Sequence, residues 1–134
     1  MNIFNIKARV YFEDTDAGGI VYHANYLKYM ERARTDWIRN IGVSQQNLLE
    51  QSVAFVVKDI TLSYKKSAKL DEMLTITCHP LKIGNVSVAI EQQIYNKNDE
   101  ILVSGLVKIA CVDPKLQKPV KIPSSILREM RSDS

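Results

Sequence analysis

Hydrophobic residues in the first third of the chain recur at the spacing of an α-helix. From about residue 24 to residue 41, apolar side chains return every three or four positions, and charged residues occupy most positions between them. This pattern predicts a helix of about five turns, ending at Gly42, a residue type that commonly follows a helix. A short second helix is predicted over residues 44–49, with Ser44 as its N-cap. The apolar positions of the long helix are Leu27, Met30, Ala33, Trp37, Ile38 and Ile41.

After residue 52 the pattern changes to the two-residue alternation of β-strands. The last predicted strand is apolar on both faces, so we expect it to be covered on both sides. A long helix that precedes an antiparallel meander buries its apolar face by lying across the sheet. The sequence therefore predicts one α+β domain over residues 1–134. The predicted strands are 3–12, 53–64 (one bent strand or two), 73–78, 86–94 and 101–112, with turns at 82–85 and 96–100 and a last short helix at 124–130.

Composition and charge exclude several functional classes. The 134 residues suffice for one core, and the net charge of +3 is too small to indicate the clustered basic face of a nucleic-acid-binding protein. Residues 1–6 lack the features of a signal peptide, and no apolar run approaches the roughly 18 residues of a membrane span. Cys78 and Cys111 lie in apolar strands without metal-ligand spacing, which predicts buried, reduced thiols and a cytoplasmic location.

Polar chemistry is concentrated between the first strand and the long helix. Residues 13–26 read EDTDAGGIVYHANY, so two aspartates, a glycine pair and a histidine stand just ahead of the helix. Backbone N–H groups at a helix start are unpaired and carry partial positive charge. They are suited to hold an oxyanion while a nearby carboxylate attacks or activates water. Gly18 and Gly19 permit positive φ and a close backbone approach, or simply form a tight turn.

Two motifs stand at fixed spacing here: Asp14-x-Asp16-x-x-Gly19-Ile20-Val21-x-His23-x-Asn25-Tyr26, and then Glu31-Arg32-Ala33-Arg34. They resemble the signature of 4-hydroxybenzoyl-CoA-type thioesterases, and more closely that of the acyl-CoA thioesterase branch associated with the Tol–Pal system. Segments 44–46, 53–57 and 111–114 also look like that branch. The resemblance implies the hotdog fold, an antiparallel β-sheet wrapped around one long central helix. It also implies dimers, or a homotetramer, with active sites where subunits meet.

By this resemblance, the catalytic carboxylate is Asp16 and the N–H that polarises the carbonyl belongs to His23. The best-known subfamily has a tyrosine at position 23, so the resemblance carries over the backbone role. The branch resembled here has this histidine, so its ring either assists or only hydrogen-bonds the loop. Asp16 either attacks the carbonyl to give a mixed anhydride or deprotonates a water molecule. The structural alternative is that Asp16 is a capping or turn residue.

The neighbours of these two residues are expected to shape the site. Two carboxylates so close together raise each other's pKa, so Asp14 is predicted to hold the loop by hydrogen bonds. Tyr22 and Asn25 belong to the loop around the oxyanion site. Asn25 and Tyr26 are expected to stabilise the helix start, with Tyr26 in the wall of the substrate pocket.

Three lysines at predicted strand ends, Lys65, Lys66 and Lys82, are candidates for binding the phosphates of CoA. Ordinary solvated surface lysines are an equally good interpretation of each.

Other polar residues are predicted to be structural. Glu31 is expected to form an ion pair within the helix, because Arg34 and Thr35 lie one turn on. His79 precedes Pro80 at a predicted strand end. The serines lack the sequence context of a nucleophile, and the two histidines lack paired metal-ligand spacing, so no metal site and no cofactor are predicted.

Together these features predict a cytoplasmic, homo-oligomeric, cofactor-free hydrolase that cleaves acyl-CoA thioesters to a free acid and CoA. The alternative is a module of phospholipid or envelope metabolism that binds acyl carrier protein or acyl thioesters and hydrolyses little. A pure binding module has no need of Asp16, which favours the enzyme.

Overall fold

A curved antiparallel sheet packs against one long helix. The computed structural model describes residues 3–133. Two short 3₁₀ turns, Phe12–Asp14 and His23–Asn25, lie between the first strand and the long helix. The strands are β1 (Phe4–Arg9), β2 (Ala54–Tyr64), β3 (Met73–Ile83), β4 (Ser87–Tyr95), β5 (Ile101–Asp113) and β6 (Lys118–Pro119), and the helices are α1 (Tyr26–Asn40), α2 (Gln45–Glu50) and α3 (Ser124–Asp133).

The sheet has the strand order β1-β3-β4-β5-β2, and every neighbouring pair is antiparallel. The short strand β6 pairs with the end of β5. Strands β1 and β2 therefore form the two edges. The α+β architecture predicted from the sequence is confirmed.

Helix α1 lies against the sheet with one face fully buried. Met30, Ala33 and Trp37 have no exposed surface, and the helix contacts β3 and β1. Gly105 in β5 makes this close packing possible, since a Cβ atom there would lie 2.9 Å from Leu62 Cδ2 and 3.1 Å from Met30 Cε. The packed helix holds its own N-terminus in place, and the candidate site adjoins that end.

The predicted helices are confirmed with shifted boundaries. Helix α1 begins at Tyr26 rather than near residue 24, because residues 23–25 form a 3₁₀ turn, and its 15 residues make about four turns rather than five. Gly42 follows it with φ +96°, and the Ser44 side chain caps α2 by accepting a hydrogen bond from the Asn47 N–H (3.0 Å). Helix α3 is longer than predicted and ends at Asp133.

Several strand boundaries were predicted wrongly. Strand β1 ends at Arg9, before the 3₁₀ turn. Strand β3 continues to Ile83, so His79 and Pro80 lie inside it, and a register shift after Pro80 accommodates the missing N–H. Residues 54–64 form one strand with an irregularity after Val57. The β5 face that includes Leu106 is covered only in part, since Leu102 and Ala110 are buried but Leu106 is 49% exposed.

A buried polar contact joins α1 to the sheet and corrects the predicted ion pair. Arg34 is only 9% exposed; it donates to Gln92 Oε1 (3.0 Å), and Gln92 Nε2 donates to the Met30 carbonyl (3.0 Å). Burial lowers the pKa of Arg34. Glu31 instead accepts a hydrogen bond from the Thr35 hydroxyl (3.1 Å). Because Arg34 reaches the sheet, the predicted Glu31–Arg34 ion pair is wrong.

The cysteines lie in the core as predicted. Cys78 and Cys111 are buried and are not disulfide-bonded, and burial raises the pKa of the Cys111 thiol. Among residues 3–133, no helix has both the length and the apolar character needed to cross a membrane.

Candidate active site

The loop from Thr15 to Val21 is a tight reversal of the chain. Thr15 and Val21 form an isolated antiparallel bridge. Inside it, the Asp16 N–H donates to the Ile20 carbonyl (2.9 Å) and the Gly19 N–H donates to the Asp16 carbonyl (3.0 Å). Gly19 has φ +78°, a conformation that favours glycine. The predicted positive φ is therefore confirmed for Gly19 but is wrong for Gly18, whose φ is not positive.

Asp16 uses one carboxylate oxygen to stabilise the turn and leaves the other available. Its Oδ1 accepts a hydrogen bond from the Gly18 N–H (2.9 Å). A Cβ atom on Gly18 would lie 3.3 Å from that oxygen, so glycine leaves room for the carboxylate. Within the described part of the chain, Asp16 Oδ2 has no hydrogen-bond partner. The structural and the catalytic interpretations of Asp16 are thus compatible.

Asp14 holds the loop together, as predicted. Its carboxylate accepts from the Tyr11 N–H (2.8 Å). Its carbonyl accepts from Asn25 Nδ2 (2.9 Å) and from the Tyr22 N–H (3.0 Å). Burial, and then the Asp14 carboxylate, raise the pKa of Tyr29. Asp14 and Asn25 therefore connect the loop to the turn that leads into α1.

His23 is the first residue of the 3₁₀ turn that precedes α1. Its backbone N–H has no partner among residues 3–133, as expected at a helix start. The Tyr22 carbonyl, in the same peptide group, accepts from the Asn25 N–H (2.8 Å). The His23 ring is exposed and lies 4.6 Å from the Tyr22 ring and 6.2 Å from the Tyr64 ring, centroid to centroid.

One cavity of about 260 Å³ brings five of the predicted site residues together. Asp16 and His23 both line it, as do Tyr26, Lys65 and Lys66. Lys82 is not among its lining residues; it is the last residue but one of β3, paired with Ala89. The other lining residues are Ile20, Val21, Tyr64 and Ser67.

The two lysines of the cavity differ in their surroundings. Lys66 forms an ion pair with Glu100, and the hydrogen bond from Lys66 lowers the pKa of that carboxyl. Lys65 forms no side-chain ion pair within residues 3–133. Of the two lysines, Lys65 is therefore the one whose positive charge is available to an anionic ligand.

Tyr26 forms a wall of the cavity and holds its rim. Its hydroxyl accepts a hydrogen bond from the Ala68 N–H (3.0 Å), which joins α1 to the segment after β2. Burial raises the pKa of Tyr26. The prediction that Tyr26 forms part of the pocket wall agrees with this geometry.

Other depressions lack this combination of groups. A more voluminous one, about 660 Å³, is lined by side chains of both charges and includes Asp14 rather than Asp16. Another, about 530 Å³, lies beside Asp16, Phe12 and Leu70 but does not include His23. In the part of the chain that the structure describes, no three His, Cys, Asp or Glu residues could together hold a metal ion.

Sequence reasoning missed Tyr64. Its hydroxyl donates a hydrogen bond to the His23 carbonyl (3.1 Å), and its ring lies 5.8 Å from that of Tyr26. The residue closes a predicted strand 41 positions after His23. No local motif marks it; only its place directly before the lysine pair could have indicated it.

The chain is similar to known thioesterases over most of its length. A family model described as the thioesterase-like superfamily matches residues 10–130. The acyl-CoA thioester hydrolase YbgC of Escherichia coli O6:H1 is 43% identical over 129 residues, with 96% of each chain covered. The acyl-CoA thioesterase YbgC of Haemophilus influenzae is 44% identical over 126 residues, covering 93% of this chain and 92% of the relative.

A solved structure agrees with the sequence matches. A probable thioesterase from Bartonella henselae superposes with a TM-score of 0.85 at 32% identity, covering 91% of this chain and 100% of that one. The matched region includes the loop, the 3₁₀ turn and α1. The chain therefore belongs to the thioesterase-like superfamily, and the predicted hotdog fold and thioester hydrolase class are confirmed.

Proposed function

We propose that this protein hydrolyses acyl-CoA thioesters to a free acid and CoA. One observation carries the proposal: Asp16 and His23 line the same cavity, where Asp16 Oδ2 and the His23 N–H have no partner among residues 3–133. A carboxylate and an unpaired N–H are the two groups that attack on a carbonyl requires. Two relatives, named acyl-CoA thioester hydrolase and acyl-CoA thioesterase, support CoA esters as the substrate class.

The His23 N–H binds the thioester carbonyl oxygen and stabilises the negative charge that develops on it. The Asn25 N–H supports this role, because it donates to the carbonyl of the same Tyr22–His23 peptide group. A hydrogen bond accepted by a peptide carbonyl polarises the group and strengthens its N–H as a donor. The donor is held by the backbone, so little reorganisation accompanies the reaction.

Asp16 acts by one of two routes, as a nucleophile or as a general base. In the first, Oδ2 bonds to the thioester carbon and the C–S bond breaks; the CoA thiolate leaves, and water then hydrolyses the mixed anhydride. In the second, Asp16 takes a proton from water as the water oxygen attacks, and the C–S bond breaks to release CoA. A thiolate is a good leaving group, so neither route needs a strong general acid. The His23 ring is free to assist proton movement in both.

The function is tested by thiol release from a panel of acyl-CoAs with short, long, branched and aromatic acyl groups, run in parallel on wild type and Asp16→Asn. Turnover by wild type that is lost in the variant supports the proposal and reports the acyl preference. If no CoA ester is hydrolysed, the same assay on acyl carrier protein thioesters decides whether the substrate is carrier-bound. Binding of an acylated carrier without Asp16-dependent turnover would replace the enzyme with the binding module.

Lys65 is proposed to bind the CoA phosphates, whereas Lys66 is compensated by Glu100. We expect Lys65→Ala to raise KM for an acyl-CoA by about 2- to 5-fold with kcat little changed, the scale of one exposed charge interaction. Lys66→Ala should raise KM less. The matched control is the same acyl group on pantetheine, which lacks phosphates and should show no Lys65 effect; equal KM values for wild type and Lys65→Ala on the CoA ester would contradict the assignment.

We further propose that the protein works as a homo-oligomer whose basic unit is a dimer. Strand β2 is an unpaired edge of the sheet, and its Val56, Val57 and Ile60 side chains are between 37% and 47% exposed. A groove of about 480 Å³ runs between α1 and two of these side chains, Val57 and Ile60. Its charged lining residues are Lys28, Glu31, Arg32 and Arg34. An apolar edge beside groups of opposite charge suits a second copy of the same surface, because a two-fold interface is self-complementary.

Val57→Asp tests this interface. The side chain is exposed in the single chain, so the change should leave the fold intact while placing two buried, unpaired charges in a two-fold interface. We expect light scattering on a sizing column to give a monomer mass for Val57→Asp at concentrations where wild type is a dimer or tetramer. Leu116→Asp, at an exposed position outside β2, is the control and should match wild type. A Val57→Asp protein that assembles like wild type would rule out this surface.

The buried cysteines, which are not disulfide-bonded, support the proposed cytoplasmic location.

A further inference from the structure

Tyr64 joins the free edge of the sheet to the turn that carries the proposed carbonyl-binding N–H. It is the last residue of β2 and pairs with Val103 of β5. The next two N–H groups, of Lys65 and Lys66, both donate to the Leu102 carbonyl (2.8 and 3.2 Å). The Tyr64 backbone is thus held by the neighbouring interior strand β5, although β2 itself lies at an edge.

The Tyr64 side chain reaches from this fixed position to the 3₁₀ turn. Its hydroxyl donates to the His23 carbonyl (3.1 Å) across 41 residues of sequence. Its ring stands edge-on to the His23 ring at an interplanar angle of 88° and lies 5.8 Å from the Tyr26 ring. Tyr26 is itself anchored by the Ala68 N–H. The hydrogen bond from the Tyr64 hydroxyl is therefore made by a side chain whose ring is positioned by the His23 and Tyr26 rings.

Two hydrogen bonds together determine the direction of the His23 N–H. The peptide group before the His23 Cα is held by the Asn25 N–H, which donates to the Tyr22 carbonyl. The peptide group after it is held by Tyr64, which donates to the His23 carbonyl. Peptide groups are planar, so fixing both neighbours of one Cα atom restricts rotation about its φ and ψ. Removing either bond lets the N–H turn away from the position that the carbonyl oxygen occupies.

We propose that Tyr64 is a positioning residue of the thioesterase site, which orients the His23 N–H through its hydrogen bond to the His23 carbonyl. This inference rests on the proposed function and deepens it. Tyr64 transfers no proton in this role, because its hydroxyl hydrogen is already donated to the backbone. An N–H that is oriented before the reaction stabilises the developing oxyanion more than one that must first reorient. Loss of this orientation should therefore lower kcat.

Tyr64→Phe removes the hydroxyl and keeps the ring. We expect kcat for acyl-CoA hydrolysis to fall by about 3- to 10-fold, the scale of one neutral hydrogen bond, with KM unchanged within about twofold and the melting temperature close to wild type. In ¹³C,¹⁵N-labelled protein, the resonance of the His23 carbonyl carbon should move, because that carbonyl no longer accepts a hydrogen bond from the Tyr64 hydroxyl. Tyr95→Phe is the matched control: it removes a tyrosine hydroxyl that bonds to Gln93 elsewhere on the sheet, and both readouts should stay at wild-type values.

The outcomes separate this inference from the function on which it rests. If wild type shows no Asp16-dependent turnover, the proposed function fails and the positioning role falls with it. If wild type is active, an unchanged kcat in Tyr64→Phe overturns the positioning role alone. A rise in KM at constant kcat also overturns it, since that result indicates a substrate contact rather than orientation of the N–H. An unmoved His23 carbonyl resonance overturns the hydrogen bond itself.

Discussion

Asp16→Asn is expected to lower kcat for acyl-CoA hydrolysis by about 10²–10⁴-fold, the scale of a positioned acid–base group or nucleophile. The asparagine side chain still offers an oxygen to the Gly18 N–H, which in the native protein donates to Asp16 Oδ1. The loop geometry and the melting temperature should therefore be retained. What is lost is the negative charge and the basicity of the second oxygen, which is the one without a partner among residues 3–133.

The neighbouring aspartate supplies the matched control. Asp14 lies two residues away, and its carboxylate accepts from the Tyr11 N–H, so Asp14→Asn also keeps a hydrogen-bond acceptor. We expect that variant to retain kcat within about tenfold, since the loss is limited to one hydrogen bond to a charged group. Steady-state thiol release and thermal unfolding are measured on both variants. A folded Asp16→Asn protein with wild-type kcat would remove Asp16 from the mechanism.

His23→Pro is expected to lower kcat by about 10²–10³-fold relative to His23→Ala, which is the cost of removing one oxyanion donor. Both variants remove the imidazole ring, but only proline removes the backbone N–H. The position accepts proline, because the first residue of a 3₁₀ turn has φ near that of proline. Its N–H makes no bond within the described residues, and the preceding Tyr22 is already extended at φ −62°, ψ 130°.

The comparison separates the two roles of His23. The step from wild type to His23→Ala measures the ring, and the step from His23→Ala to His23→Pro measures the N–H. Near-equal melting temperatures of the two variants would show that the turn survives, after which kcat and KM are compared on one acyl-CoA. Equal kcat values for the alanine and proline variants would exclude the backbone N–H as the carbonyl donor, whatever the ring contributes.

The helix and the strands were predictable because each buries one face, which leaves a periodic record in the sequence. The wrong predictions concern features that the periodicity of apolar residues does not reveal. Pro80 suggested a strand end, yet β3 continues through it because the sheet absorbs the missing N–H with a register shift. Arg34 was predicted to pair with Glu31 within α1, but its long side chain reaches Gln92 in the sheet. Contacts between residues far apart in sequence cannot be recognised from the helical or the strand periodicity of either segment.

The candidate site was predictable to the extent that it is contiguous. The loop and the 3₁₀ turn come from one stretch of sequence, so a motif with fixed spacing indicated Asp16 and His23 together. Tyr64 comes from the end of β2, and only the three-dimensional fold brings its hydroxyl to the His23 carbonyl. Lys82 was grouped with Lys65 because both were predicted at strand ends. Lys82 does lie one residue before the end of β3, but it does not line the cavity that Lys65 lines.

The contact between Gly105 and Met30 has a consequence for how sequences of this fold can diverge. The two positions share one small volume between sheet and helix, since a Cβ on residue 105 would come within 3.1 Å of the Met30 thioether methyl. An alanine at 105 therefore requires the ends of the Met30 and Leu62 side chains to move aside, a shorter side chain at one of these positions, or a shift of α1 away from β5. Such a shift would also displace the N-terminal end of α1, so the permitted substitutions at a buried glycine are coupled to the geometry of the turn that carries the proposed carbonyl-binding N–H. Positions 30 and 105 should accordingly change together among relatives that keep activity.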